Sequence, residues 1–157
     1  MRSLLMVYGF LLACMFSFTR GVMAQDLQVL VLDALDGKPQ VNVKVKSLCA
    51  GPPSNVWGKP AFTNDTGVAT ISYVCNDKQK LQISVYPPKK KEQCGGDAIT
   101  IFNDAASVGF ISDPSATGGI GEMWCPTKVS KSLKPVPGQV IMFVKKPTWW
   151  QSHVAGE

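Results

Sequence analysis

Leu27-Gln28-Val29-Leu30-Val31-Leu32-Asp33, the turn Asp36-Gly37-Lys38-Pro39, and Val41-Asn42-Val43-Lys44-Val45-Lys46 form the stretch that decides the fold. The first run is mostly apolar and the last alternates apolar and polar residues with period two. A strand puts Val41, Val43 and Val45 on one face and Asn42, Lys44 and Lys46 on the other. A second turn, Asn64-Asp65-Thr66-Gly67, opens Val68-Ala69-Thr70-Ile71-Ser72-Tyr73, where Ala69, Ile71 and Tyr73 share a face. Working outward, Lys80 to Tyr86 alternates cleanly and stops at Pro87-Pro88, which cannot extend a ladder. Ala98 to Phe102 and Gln139 to Val144 are two more branched, apolar runs of strand length. About seven strands without a long helical pattern predict an all-β, antiparallel sandwich. Its expected core is Val29, Val31, Val43, Val45, Ile71, Leu81, Ile83, Val85, Ile101, Ile141 and Phe143. Pro126 to Leu133 has room for one helical turn before Pro135, and Asn103 to Gly121 reads as a long polar, glycine-rich loop.

The N-terminus has the parts of a secretory signal. Arg2 supplies positive charge, Leu4 to Phe18 is apolar, and Val22-Met23-Ala24 ends in small residues at a cleavage position. Residues 1–24 are therefore expected to leave, with Gln25 first in a secreted or periplasmic chain and 25–157 forming a single domain. As a membrane span the run is short of the ~20 residues a bilayer requires. The alternative is a lipid anchor through Cys14, since Leu11-Leu12-Ala13-Cys14 has lipobox character; against it, Met15 to Phe18 continue the apolar segment past the cysteine. Arg2 and Arg20 leave with the signal and no acidic residue does, so the net charge falls from +5 to +3. The short clusters Lys89-Lys90-Lys91 and Lys145-Lys146 lack the interleaved aromatic pattern of a nucleic-acid surface, and no nucleic-acid partner is expected. Four cysteines then remain: Cys49, Cys75, Cys94 and Cys125. An even count in a secreted chain predicts two disulfides with three possible pairings. Order along the strands favours Cys49 with Cys75 and Cys94 with Cys125. No two of them form a C-x-x-C pair, so neither zinc nor any other metal or cofactor is expected.

The succession of strand, Asp36-Gly37-Lys38-Pro39 turn, Val-Asn-Val-Lys-Val strand, long loop, and Thr63 with Asp65-Thr66-Gly67-Val68-Ala69 resembles the carboxypeptidase regulatory-like, or transthyretin-like, family. Asn64-Asp65-Thr66-Gly67 matches its D-x-x-G-type turn loosely. The resemblance implies a transthyretin-like sandwich with Greek-key connections. Some members of that superfamily hydrolyse a urate-derived ring, using more than one histidine and a C-terminal tetrapeptide ending in Gly-Ser. This chain has one histidine, His153, and ends Val154-Ala155-Gly156-Glu157, so the resemblance does not carry that activity here.

A single histidine near the C-terminus supports neither a Ser-His-Asp arrangement nor a multi-histidine metal site. Asp33, Asp36, Asp65 and Asp104 are candidate carboxylates, though the first three sit where aspartate is ordinary turn chemistry. Asn64-Asp65-Thr66 fits a glycosylation sequon. The most unusual stretch is Lys145-Lys146-Pro147-Thr148-Trp149-Trp150. Two adjacent indoles demand a cover, because each ring can bury roughly 150–250 Å². They fold back as a plug, with Trp124 or Trp57 nearby, or they form an exposed platform for a sugar or an envelope protein. A membrane-interface role is a third, less favoured reading. Trp149, Trp150, Lys145, Lys146 and Trp124 are thus the candidate contacts of a non-enzymatic module that binds a protein or glycan in the envelope or extracellular space. The alternative is a small hydrolase or an enzyme accessory subunit, which requires converging carboxylates or a carboxylate beside His153.

Overall fold

The computed structural model describes residues 24–88, 91–95, 98–101, 108–113 and 125–146. The first strand, β1 (Gln25–Asp33), carries the expected alternation, with Leu27, Val29 and Val31 buried and Gln28 exposed. It is followed by β2 (Lys44–Ala50), β3 (Val56–Trp57), β4 (Ala61–Phe62), β5 (Val68–Tyr73) and β6 (Lys80–Tyr86). Then come β7 (Glu92–Gln93), β8 (Ile99–Ile101), β9 (Phe110–Ile111), helix α1 (Lys128–Ser132) and β10 (Gln139–Lys145). Two five-stranded sheets result: β5-β1-β10-β7 with β9 also on β10, and β3-β2-β6-β8 with β4 also on β2. The chain is an all-β sandwich. The second sheet is antiparallel. The first is mixed, which corrects the expectation of antiparallel pairing throughout. There β1 lies parallel to β10, with Gln28 opposite Gln139 and Asp33 opposite Val144, and β9 is also parallel to β10. No hairpin can join a parallel pair, so the chain between β1 and β10 serves as their connection.

The two sheets meet along their inward rows. Leu27, Val29, Val31, Ala69, Ile71, Tyr73, Val140, Met142 and Val144 face Val43, Val45, Cys49, Leu81, Ile83, Val85 and Ile101. Burying each large aliphatic side chain contributes about 1.5–3 kcal/mol before entropy is set against it. Two expected core positions fall elsewhere. Ile141 and Phe143 point away from the sandwich interior and join Leu32, Ala34, Cys94 and Cys125 in a second cluster, against which Val129 of α1 and Leu133 pack. Strand β10 is therefore buried on both faces, and its continuous apolar run follows from that. Val41 is 48% exposed rather than inward. Asn42 takes φ +57, in the left-handed region, and the strand starts only at Lys44.

Local chemistry fixes the turns. Asn64 Oδ1 accepts from the Thr66 N–H at 3.0 Å, the Thr66 hydroxyl at 2.7 Å and the Val68 N–H at 3.0 Å, so this side chain launches β5. Gly67 there has φ +76, and a Cβ would come within 2.8 Å of Pro39 Cβ, which leaves glycine as the fitting residue. Thr63 Oγ accepts from the Val43 N–H at 2.8 Å and donates to the Gln40 carbonyl at 2.6 Å, closing the loop ahead of β2. Both expected disulfides are present. Cys49–Cys75 ties β2 in one sheet to the residue chain just past β5 in the other, and Cys94–Cys125 pins the segment before α1 to the outer side of the mixed sheet.

Candidate binding face

The period-two alternation of β2 and β6 that buries Val45, Cys49, Leu81, Ile83 and Val85 turns Lys44, Lys46, Gln82, Ser84 and Tyr86 outward. Neither strand contains an acidic residue. Register brings two more aromatics onto this face. Lys44 is opposite both Phe62 of β4 and Tyr86 of β6, and Leu48 is opposite both Trp57 of β3 and Gln82 of β6. Cross-strand partners share a face, so Trp57, Phe62 and Tyr86 stand on one sheet surface with Lys44 and Lys46 among them. All three rings are open to water, at 63% for Trp57, 57% for Phe62 and 47% for Tyr86. The Lys46 ammonium lies 5.0 Å from the Tyr86 ring centre and 5.9 Å from that of Trp57. It bridges the two rings, an arrangement worth about 0.5–1 kcal/mol per exposed cation–ring contact. The Lys44 and Leu48 rows are four residues apart along β2, or roughly 13 Å at the strand rise. The surface is a platform with Phe62 and Tyr86 flanking Lys44 at one end, Trp57 at the other and Lys46 between them.

Two of the candidate carboxylates, Asp33 and Asp36, are engaged in structural contacts. Asp33, 8% exposed, accepts from the Leu35 N–H at 2.9 Å and from the Lys91 ammonium at 2.7 Å. Lys91 also donates to Gln40 Oε1 at 2.7 Å, so the group ties the end of β1 to the strand-connecting loops. Asp36 pairs with Lys38 at 2.8 Å, and that hydrogen bond holds its carboxyl below the ordinary range. Among the described residues no three His, Cys, Asp or Glu side chains gather as a metal site. An open hollow of about 390 Å³, lined by Pro52, Pro53, Asn76, Asp77 and Lys78, lies next to the Cys49–Cys75 bridge and holds one carboxylate.

No protein-family model matches the chain, and no curated protein matches it. Among solved structures it is similar to part of a 9R-lipoxygenase from Cyanothece PCC8801, at 13% identity and a TM-score of 0.35. The match covers 54% of this chain, which spans 14% of that one. A score this low bears on neither fold nor activity.

The contacts expected from sequence divide into two groups. Trp124, Trp149 and Trp150 lie outside the described residues, as do Cys14, His153 and Asp104. Lys145 is 7% exposed and paired through its backbone with Glu92, on the side of β10 that carries Ile141 and Phe143, whereas Lys146 is exposed. The aromatic and cationic platform is not among the contacts expected from the sequence. Trp57 and Phe62 sit in two-residue strands within what reads as a long loop, which no periodicity signal reveals. Tyr86 was the legible clue. The alternation of Lys80 to Tyr86 sets it on the polar side with Gln82 and Ser84, where a tyrosine ring has no core to fill.

Proposed function

We propose that this chain is a secreted or periplasmic, non-enzymatic binding module of the carboxypeptidase regulatory-like type. In this reading residues 1–24 are a cleaved signal peptide, and the protein or glycan partner lies in the envelope or extracellular space. Two observations support the setting. Strand β1 begins at Gln25, the expected first residue after cleavage, and two disulfides suit an oxidising compartment. Among the described residues no helix is long and apolar enough to cross a membrane. The family resemblance is supported by the Asn64 to Gly67 turn, which forms with its side chain closing the entry to β5.

The observation that carries the functional reading is the platform. Three large aromatic side chains share one sheet face with lysines among them, each roughly half exposed or more, and exposed aromatic groups gathered on one face mark interaction sites. The test is retention of material from the native envelope or secreted fraction on the immobilised protein. Wild type is compared with Trp57→Ala/Tyr86→Ala and with Trp149→Ala/Trp150→Ala, each checked by thermal melting. Retention should be lost in the folded Trp57/Tyr86 variant. If that variant retains everything and the Trp149/Trp150 variant does not, the binding surface is the C-terminal segment instead.

A further inference from the structure

We propose that the ligand of the β2–β6 face is an anionic polysaccharide, its sugar rings stacked on Trp57, Phe62 and Tyr86 and its carboxylates paired with Lys44 and Lys46. This rests on the binding-module reading and assigns that module a ligand class. A pyranose has an apolar C–H face and a rim of hydroxyls, so it suits an exposed ring flanked by hydrogen-bonding side chains. Gln82, Ser84 and Thr100 supply such groups beside the rings, Gln82 and Thr100 being register partners. The rows are roughly 13 Å apart by strand rise, a spacing that fits several linked sugars lying along the sheet better than a single ring in a pocket.

The charge pattern selects the class. Every ionisable group that β2 and β6 turn outward, apart from the Tyr86 phenol, is a lysine, and Lys46 lies between the two rings it contacts. A ligand stacked on both rings brings its middle over that ammonium, where a carboxylate forms an ion pair and a neutral hydroxyl accepts only the weaker hydrogen bond. The same feature disfavours other occupants. The cores of protein interfaces are rich in aromatics but depleted in lysine. A second copy docked face to face would set Lys44 and Lys46 against their own counterparts. A nucleic acid carries a phosphate at every step and requires a broader positive field than a chain at +5, or +3 without residues 1–24, offers.

The experiment measures affinity of the purified protein for polygalacturonate. Dextran serves as a neutral sugar polymer, polyacrylate as a polyanion without sugar rings, and oligo(dT) as a nucleic acid. Polygalacturonate should bind best, Trp57→Ala should weaken it about tenfold or more, and Lys46→Glu should weaken it at least as much and flatten its salt dependence. If Trp57→Ala does not fold, Phe62→Ala and Lys46→Glu carry the same comparison. Dextran binding as tightly as polygalacturonate overturns the anionic class. Polyacrylate binding equally well, with no effect of Trp57→Ala, reduces the face to simple charge attraction and overturns the proposal, as does tighter binding of oligo(dT). If none of the four probes binds while the envelope retention described above still depends on Trp57 and Tyr86, the polysaccharide assignment fails and the module reading stands. If retention is absent as well, both fail.

Discussion

Phe143→Ala is expected to destabilise the fold by about 3–5 kcal/mol, the cost of emptying a large aromatic site in a core that collapses only partly. Phe143 is 0% exposed, on the outer side of the mixed sheet, in the cluster formed with Leu32, Ala34, Ile141 and the Cys94–Cys125 sulfurs. Val129 of α1 and Leu133 pack against this same cluster, so emptying it also loosens the seat of α1 on the sheet. A loss of that size is a large share of the roughly 5–15 kcal/mol that separates folded from unfolded states in a domain. Urea unfolding of wild type and variant measures it directly. Phe143→Leu, which keeps most of the volume, should cost clearly less. A cost under about 1 kcal/mol for the alanine variant would mean that the second cluster is not closely packed.

The second large effect is expected at Cys94 and Cys125. Replacing both with alanine removes a cross-link between residues 31 apart in sequence and should cost about 3–4 kcal/mol through the freedom regained by the unfolded chain. Both residues are 0% exposed within the Phe143 cluster, so lost packing adds to that figure. Cys49–Cys75 closes a similar separation of 26 residues, but Cys75 is only half-buried. The Cys49→Ala/Cys75→Ala variant should therefore be the less damaged of the two. Denaturant midpoints of the two double variants under oxidising conditions test the ordering. If the Cys94/Cys125 pair proved the cheaper to remove, the cluster it anchors would contribute little to stability.

The framework was legible wherever one face of a strand is wet. β1, β5 and β6 each alternate buried and open residues along part or all of their length, and their turns carry Asp36-Gly37 and Asn64 to Gly67, so both position and orientation could be read. The disulfide pairing followed from strand order. In β10 orientation was not legible. Val140, Ile141, Met142, Phe143 and Val144 are all buried, and an unbroken apolar run does not say which residues face which layer. Val41 misled for a different reason, since the left-handed Asn42 interrupts a pattern that looks continuous in one dimension. The candidate site was the least legible part. Two of its three rings, Trp57 and Phe62, come from strands of two residues placed by pairing to β2, and only the three-dimensional register shows that they share a face with Tyr86 of β6. In one dimension the adjacent Trp149 and Trp150 are the stronger aromatic signal, and they lie near the C-terminus.

The most direct measurement is a two-dimensional amide NMR titration of the ¹⁵N-labelled protein with polygalacturonate. The expected result is a set of shifts confined to Lys44, Lys46, Trp57, Phe62, Gln82, Ser84 and Tyr86, together with the Trp57 indole N–H. Shifts gathered instead on β1 and β5, or on Trp149 and Trp150 with the β2–β6 face unchanged, would contradict the assignment of that face as the binding surface.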